Sequence, residues 1–156
     1  MGEFAATVQA RIRDGLADRH PHFAWETELD VGGTPVDVAG QSEERLVAVE
    51  LEWRRADPVA NTAKLFRHLE SGAVGASRVA VVQVFSGYYD LAGGGVSSKR
   101  LDAEFVGRVA ADALEAFSYC PLDLHVDPPK RGGDRPPDWE RAVDDAVAAI
   151  SDRVGT

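Results

Sequence analysis

Cysteine is nearly absent from the 156 residues: Cys120 stands alone, so no disulfide can close within the chain. That excludes the small disulfide-stapled scaffolds and makes a reducing, cytoplasmic setting the natural expectation. Cys120 lies among apolar and aromatic neighbours, where a free thiol is buried rather than reactive. Lysine is scarce too, with Lys64, Lys99 and Lys130 the only three among 17 basic residues. Arginine and aspartate carry the charge instead, a bias that fits either a GC-rich genome or a saline cytoplasm. No apolar run approaches the ~20 residues needed to cross a bilayer, so no membrane contact is expected. The N-terminus shows no basic run followed by an apolar block, so no secretory leader is expected. Repeats and low-complexity tracts are missing as well.

What remains is an ordinary globular composition, 44% hydrophobic and 28% charged. At this length one domain, residues 1–156, can bury a core without structural metal. The net charge of −9 argues against a protein that coats nucleic acid, which would be basic. It leaves room for an enzyme that grips nucleic acid through a local patch.

Periodicity divides the chain into nine elements. Phe4, Val8, Ile12 and Leu16 predict an amphipathic helix over Glu3–Arg19, with Gly15 weakening its last turn. Phe23, Trp25, Thr27, Leu29 and Val31 alternate with acids, which predicts a half-buried strand with those five on one face. Gly32-Gly33 marks a turn. Strands follow over Thr34–Ala39 and Leu46–Trp53, and the three are expected to form an antiparallel meander. Asp57 caps a helix whose first position is Pro58, with Val59, Ala63, Phe66 and Leu69 inward and an end near Gly72. Ser77–Ser86 is apolar almost throughout, as a strand covered on both faces should be. The strand, helix and strand then imply a right-handed parallel crossover. Lys99–Phe117 predicts a third helix with Leu101, Phe105, Val109 and Leu114 toward the core. Ser118–Val126 is a fifth strand, and Asp127–Pro137, with four prolines, a linker. Asp138 caps a last helix, Trp139–Val154. The expected class is α/β or α+β, a mixed five-stranded sheet flanked by helices in the order α-β-β-β-α-β-α-β-α.

Two lesser signals read as structure. His20-Pro21-His22 lacks further ligand spacing for zinc and is a polar loop. Gly93-Gly94-Gly95 lacks the lysine-serine ending of a phosphate loop. Tyr88 and Tyr89, which could stack bases, are expected in the core.

The chemistry concentrates between Val36 and Leu69. Asp37 interrupts a short apolar strand. Glu50 and Glu52 share one face of the next strand, with Val47, Val49, Leu51 and Trp53 opposite. A short connection pairs the two strands, so three acids converge. Carboxylates this close repel in a low-dielectric setting unless they hold a hard cation, pair with arginine or face water. Asp37, Glu50 and the Leu51 carbonyl make an open site for Mg²⁺ or Mn²⁺. The metal there lowers the pKa of its water and offsets charge building on phosphorus, while Glu52 orients or deprotonates the attacking water. A solvated sheet face whose acids merely avoid the core is the bland alternative. Arg54 and Arg55 follow at once, either as phosphate contacts in a nucleic-acid-binding role or as a solvated strand end.

Val36-Asp37, a turn, then Val49-Glu50-Leu51-Glu52-Trp53 resembles the PD-(D/E)XK superfamily of restriction-endonuclease-like proteins. That family's core is a helix, a three-stranded meander, a helix and a strand, which the predicted elements match from Glu3 to Phe85. The resemblance implies that Asp37 and Glu50 bind Mg²⁺. Two positions depart: Glu52 stands where the family usually has lysine, and Val36 where it has proline. Some restriction enzymes are similar in carrying this E-x-E version. Where the family's lysine migrates to the following helix, Lys64 is the matching residue. Glu3 is the candidate for the supporting acid that the family's first helix contributes.

These readings together lead to the expectation of a Mg²⁺- or Mn²⁺-dependent nuclease acting on DNA. The chain is close to the bare core, so a homodimer or a targeting protein partner is expected with it. The alternatives are a catalytically inactive nuclease-like fold that serves as a binding or assembly module, and a metal-dependent hydrolase of another phosphate ester.

Overall fold

The computed structural model describes residues 2–71 and 75–155. Helix α1 (Glu3–Arg19) leads into strands β1 (Ala24–Val31), β2 (Thr34–Gln41) and β3 (Arg45–Glu52). Then come α2 (Pro58–Glu70), β4 (Arg78–Ser86), a 3-10 turn (Gly87–Tyr89), α3 (Ser98–Ala113), β5 (Phe117–Leu124) and α4 (Trp139–Val154). The strands form one sheet in the order β1-β2-β3-β4-β5. The first three make an antiparallel meander, and β3, β4 and β5 run parallel. The fold is α+β, a mixed five-stranded sheet flanked by helices, in the expected element order. The expected end of α2 near Gly72 lies outside the described residues.

Helices cover both faces of the sheet. Val8, Ile12 and Leu16 of α1 and Val143, Val147 and Ile150 of α4 pack on Val47, Val49, Val82 and Val84. Leu65, Phe66 and Leu69 of α2 pack on the other face, against Leu46, Ala48, Val79 and Val81. Each such side chain contributes roughly 1.5–3 kcal/mol on leaving water. β4 is apolar nearly throughout because it feeds both layers. Gly15 does more than weaken α1: a Cβ there would lie 2.9 Å from Val147, so the glycine seats α4. The Trp139 stripe packs on the core, with Trp139 edge-on to Phe4 at 5.2 Å.

Several sequence expectations change. β1 keeps its alternation of covered and exposed residues, but not one face. Phe23 and Trp25 pack with α1, whereas Val31 and Leu29 pack with α2. The switch falls at Glu28, whose φ of 54° is left-handed and rotates the strand. In α2 the buried set is Pro58, Thr62, Leu65, Phe66 and Leu69, while Ala63 is exposed. Thr62 can take an inward place because its hydroxyl donates to the Pro58 carbonyl at 2.6 Å. Asp57 caps this helix as expected, its carboxylate accepting the Ala60 amide at 3.1 Å. Asp138 precedes α4 but makes no capping bond, its own φ being 61°. Tyr89 is buried against Phe85, while Tyr88 stays exposed. Cys120 is half-buried, and burial pushes its thiol up.

The largest correction concerns α3. Its inward residues are Arg100, Ala103 and Gly107, and the predicted core stripe Leu101, Phe105 and Val109 faces solvent; Leu114, just past the helix, does reach the core. Arg100 can turn inward because Glu104 (2.9 Å) and Asp123 (2.5 Å) neutralise it and the Phe85 ring lies beneath it at 4.6 Å. Gly107 lets the Tyr119 ring pack directly against the helix, since a Cβ there would collide with that ring. Gly107→Ala is therefore expected to destabilise the protein by about 1–3 kcal/mol, as overpacking does, read from its urea midpoint. A neutral effect would show that Tyr119 gives way freely.

Candidate active site

The β2–β3 ladder runs from Gln41↔Leu46 to Val38↔Val49 and stops. Beyond it the Leu51 amide donates to Asp37 Oδ2 at 2.7 Å, so a side chain takes the place of the ladder. A strand residue sends its N–H and C=O to the same edge, so the Leu51 carbonyl also faces this gap. On the other side, the β1–β2 register passes from Thr27↔Val38 to Leu29↔Val36 and omits Glu28 and Asp37. Val36 packs toward α2 and Val38 toward α1. Asp37 thus sits where β2 changes face, and its carboxylate points into the opened sheet edge rather than into either core.

Gln9 of α1 holds the second oxygen. Its Nε2 donates to Asp37 Oδ1 at 2.9 Å and to Glu28 Oε1 at 3.2 Å. The first helix therefore does contribute to the site, but through Gln9. Glu3 is exposed and lines the cleft. The signal for Gln9 was a polar residue beside Val8 on the inward face.

Glu50 lies against Asp37 and hydrogen-bonds to it. Burial first, then the Asp37 charge, pushes the Glu50 carboxyl well above the usual range. Burial also raises Asp37, against the Leu51 amide that favours its anion. Two carboxyls in such contact share a proton. Both remain partly exposed, and both open onto the cleft.

Glu52 sits differently. It is 1% exposed, and Asn61 Nδ2 (3.3 and 3.2 Å) and Gln83 Nε2 (3.0 Å) donate to it. Burial raises its pKa, and the two amides work against that rise. Gln83 also donates to Thr62 Oγ1 at 2.9 Å and accepts from the Tyr119 hydroxyl at 2.5 Å. Gln83 was legible as the one polar residue inside the β4 run. Gln83→Met is expected to cost about 1–3 kcal/mol, because it strips a donor from Glu52 and leaves the Tyr119 hydroxyl unpaired. Chemical denaturation measures it; an unchanged midpoint would mean the network is not under tension.

One cleft of about 1500 Å³ brings together Glu3, Asp37, Glu50, Leu51, Glu52, Arg54, Arg55 and Lys64. Every residue singled out for the site from sequence lines it. So do Lys130, Arg131 and Arg135 of the proline-rich segment, which sequence reasoning treated as linker. Arg54 is half-buried and donates to the Pro129 carbonyl at 3.0 Å, so it ties that segment to the site. Arg55 and Lys64 are exposed. Among the described residues no group of three or more His, Cys, Asp or Glu side chains could hold a metal ion. Asp37 and Glu50 are a pair, with the Leu51 carbonyl the third oxygen nearby, and Glu52 is engaged by its amides.

No protein-family model and no curated protein matches this chain. Among the described residues no helix is long and apolar enough to cross a membrane.

Proposed function

We propose that this protein is a Mg²⁺- or Mn²⁺-dependent nuclease that hydrolyses phosphodiester bonds in DNA. The observation that carries the reading is the cleft. It joins the Asp37 and Glu50 carboxyls to a rim of Arg54, Arg55, Lys64, Lys130, Arg131 and Arg135 on a chain of net charge −9. Cations gathered against the overall charge suit a polyanion that spans the acid pair. The helix, meander, helix and strand order, with Asp37 and Glu50 side by side, supports membership of the PD-(D/E)XK superfamily.

The donor set fits the metal. Mg²⁺ is commonly held through one or two carboxylates, with water and phosphate oxygens completing the shell. Asp37, Glu50 and the Leu51 carbonyl would hold it, and the proton shared by the two acids would leave. The bound cation supplies charge that offsets the charge building on phosphorus. Glu52, its anion held by Asn61 and Gln83, orients the attacking water. Lys64 and Arg55 neutralise phosphate, and Arg54 keeps Lys130 and Arg131 at the rim. A cytoplasmic site of action, with a homodimer or a targeting protein to supply specificity, completes the reading.

A second reading draws on one observation. The acids have partners within the chain, namely Gln9, Leu51, Asn61 and Gln83, and glutamate rather than lysine stands two residues after Glu50. Such a site suits an inactive nuclease-like module. Incubating plasmid and single-stranded DNA with Mg²⁺ or Mn²⁺, at low and high salt, separates the two. The nuclease nicks only with metal and loses activity as salt rises; no cutting of either DNA under any condition would leave the inactive module.

A further inference from the structure

The cleft carries aromatic rings as well as acids and cations. Phe4 and Trp53 both line it, and both are half-buried. They pack on the core and on each other, edge to face with centroids 5.2 Å apart. The Arg135 guanidinium lies over the Phe4 ring at 4.7 Å, and Arg135 itself is exposed. The cleft therefore offers an indole and, above Phe4, a guanidinium plane beside its cations.

These groups bear on which form of DNA fits. The cations come from two separate parts of the chain. Arg55 and Lys64 belong to the end of β3 and to α2, whereas Lys130, Arg131 and Arg135 belong to the segment that Arg54 ties down through Pro129. Asp37 and Glu50 are half-buried, so a phosphate has to enter the cleft to reach them. A duplex keeps its base faces inside the stack and shows only their edges in its grooves, which leaves Trp53 and Arg135 nothing to stack on. It is also stiff over roughly 150 base pairs and resists bending into a recess. An unpaired strand meets both demands. Its backbone bends to follow cations, and its free bases stack on aromatic rings and guanidinium planes.

We propose that the cleft takes an unpaired DNA strand, with bases stacked on Trp53 and on Arg135 above Phe4. The inference rests on the reading of the cleft as a DNA site and names the form of DNA it accepts. Fluorescence anisotropy in EDTA, where nothing is cut, tests it. The probes are a labelled pyrimidine strand of about 12 nucleotides, within the span such grooves cover, and the duplex it forms with its complement. Wild type should bind the strand at least about tenfold tighter than the duplex. Trp53→Leu keeps apolar bulk against Phe4 but loses the ring. It should weaken strand binding by about tenfold, as the loss of one stacked base does, and leave duplex binding unchanged. Trp53→Phe should recover most of that loss. Arg135→Lys, at an exposed position where folding is not at stake, keeps the charge and loses the plane, so it too should weaken the strand alone. Duplex bound as tightly as strand, or strand affinity unmoved in both Arg135→Lys and a folded Trp53→Leu, would overturn the inference. Metal-dependent cutting of DNA beside that result would leave the nuclease reading standing. Strand binding through Trp53 and Arg135, with no DNA cut in Mg²⁺ or Mn²⁺, would uphold the strand site and remove the nuclease.

Discussion

Glu50→Ala is expected to lower metal-dependent DNA cleavage by about 10³-fold or more while leaving the protein folded. The size follows from position. Glu50 is the acid that lies against Asp37 with access to the cleft, so its loss would remove a proposed metal ligand and half of the carboxyl pair together. Removing one strong electrostatic contribution to a transition state typically costs 10²–10³-fold, and a metal site that no longer fills costs more. Asp37→Asn should fall as far, because the amide oxygen that remains is a weaker ligand. Lys130→Ala and Arg131→Ala should behave differently. Each should weaken DNA binding evenly across sequences and lower the salt slope by about one, with turnover largely kept. Gel-based cleavage rates and binding titrations at several salt concentrations distinguish the two patterns. A Glu50→Ala enzyme within tenfold of wild type would remove Glu50 from the site.

The second large effect has the opposite sign for stability. In metal-free buffer at about pH 8, Glu50→Gln should melt higher than wild type by at least about 3 °C, since each 1 kcal/mol moves the midpoint of a domain this size by roughly 2–4 °C. The cause is the raised pKa. Folded Glu50 holds its proton more tightly than the unfolded chain does, because burial and the Asp37 charge oppose its anion. Between the ordinary carboxylate range and that raised value, the native state binds more protons than the unfolded state. Stability therefore falls as pH rises through this window and is restored as pH falls back toward the ordinary carboxylate range. Glutamine carries no such penalty, so the gap between variant and wild type should close near pH 4–5. Mn²⁺ should reverse the order at pH 8 by stabilising wild type alone. Thermal melts across pH, with and without Mn²⁺, provide the check. A Glu50→Gln protein that melts lower than wild type at every pH would show that the carboxylate supports the fold rather than straining it.

That pairing of strain with chemistry explains which features the sequence revealed. Element order followed from periodicity, because β4 feeds two helical layers and α1, α2 and α4 each keep an inward stripe. α3 broke the pattern. An arginine with two acid partners and a glycine beneath Tyr119 seat it, and neither has an apolar signature. Asp37, Glu50, Glu52 and Lys64 were legible because acids inside apolar strands and a capped helix are local features. Gln9, Asn61 and Gln83 were harder to assign, since an amide announces its role only once the acid it serves is placed beside it. Lys130, Arg131 and Arg135 were missed for another reason: prolines and glycines read as linker, and only the Arg54 bond to Pro129 shows that the segment closes one wall of the cleft. The face switch at Glu28 and Asp37 depends on one left-handed residue that no alternation pattern encodes.

The measurement that bears most directly on the site is a calorimetric Mn²⁺ titration of wild type and Asp37→Asn at about pH 8, in two buffers of different ionisation enthalpy. Metal that displaces the shared proton releases it to the buffer, so the apparent heat should differ between the buffers. One Mn²⁺ bound by wild type with proton release, and none by Asp37→Asn, is the expected result. Wild type that binds no Mn²⁺, or binds it equally well without Asp37, would contradict a metal centre at Asp37 and Glu50.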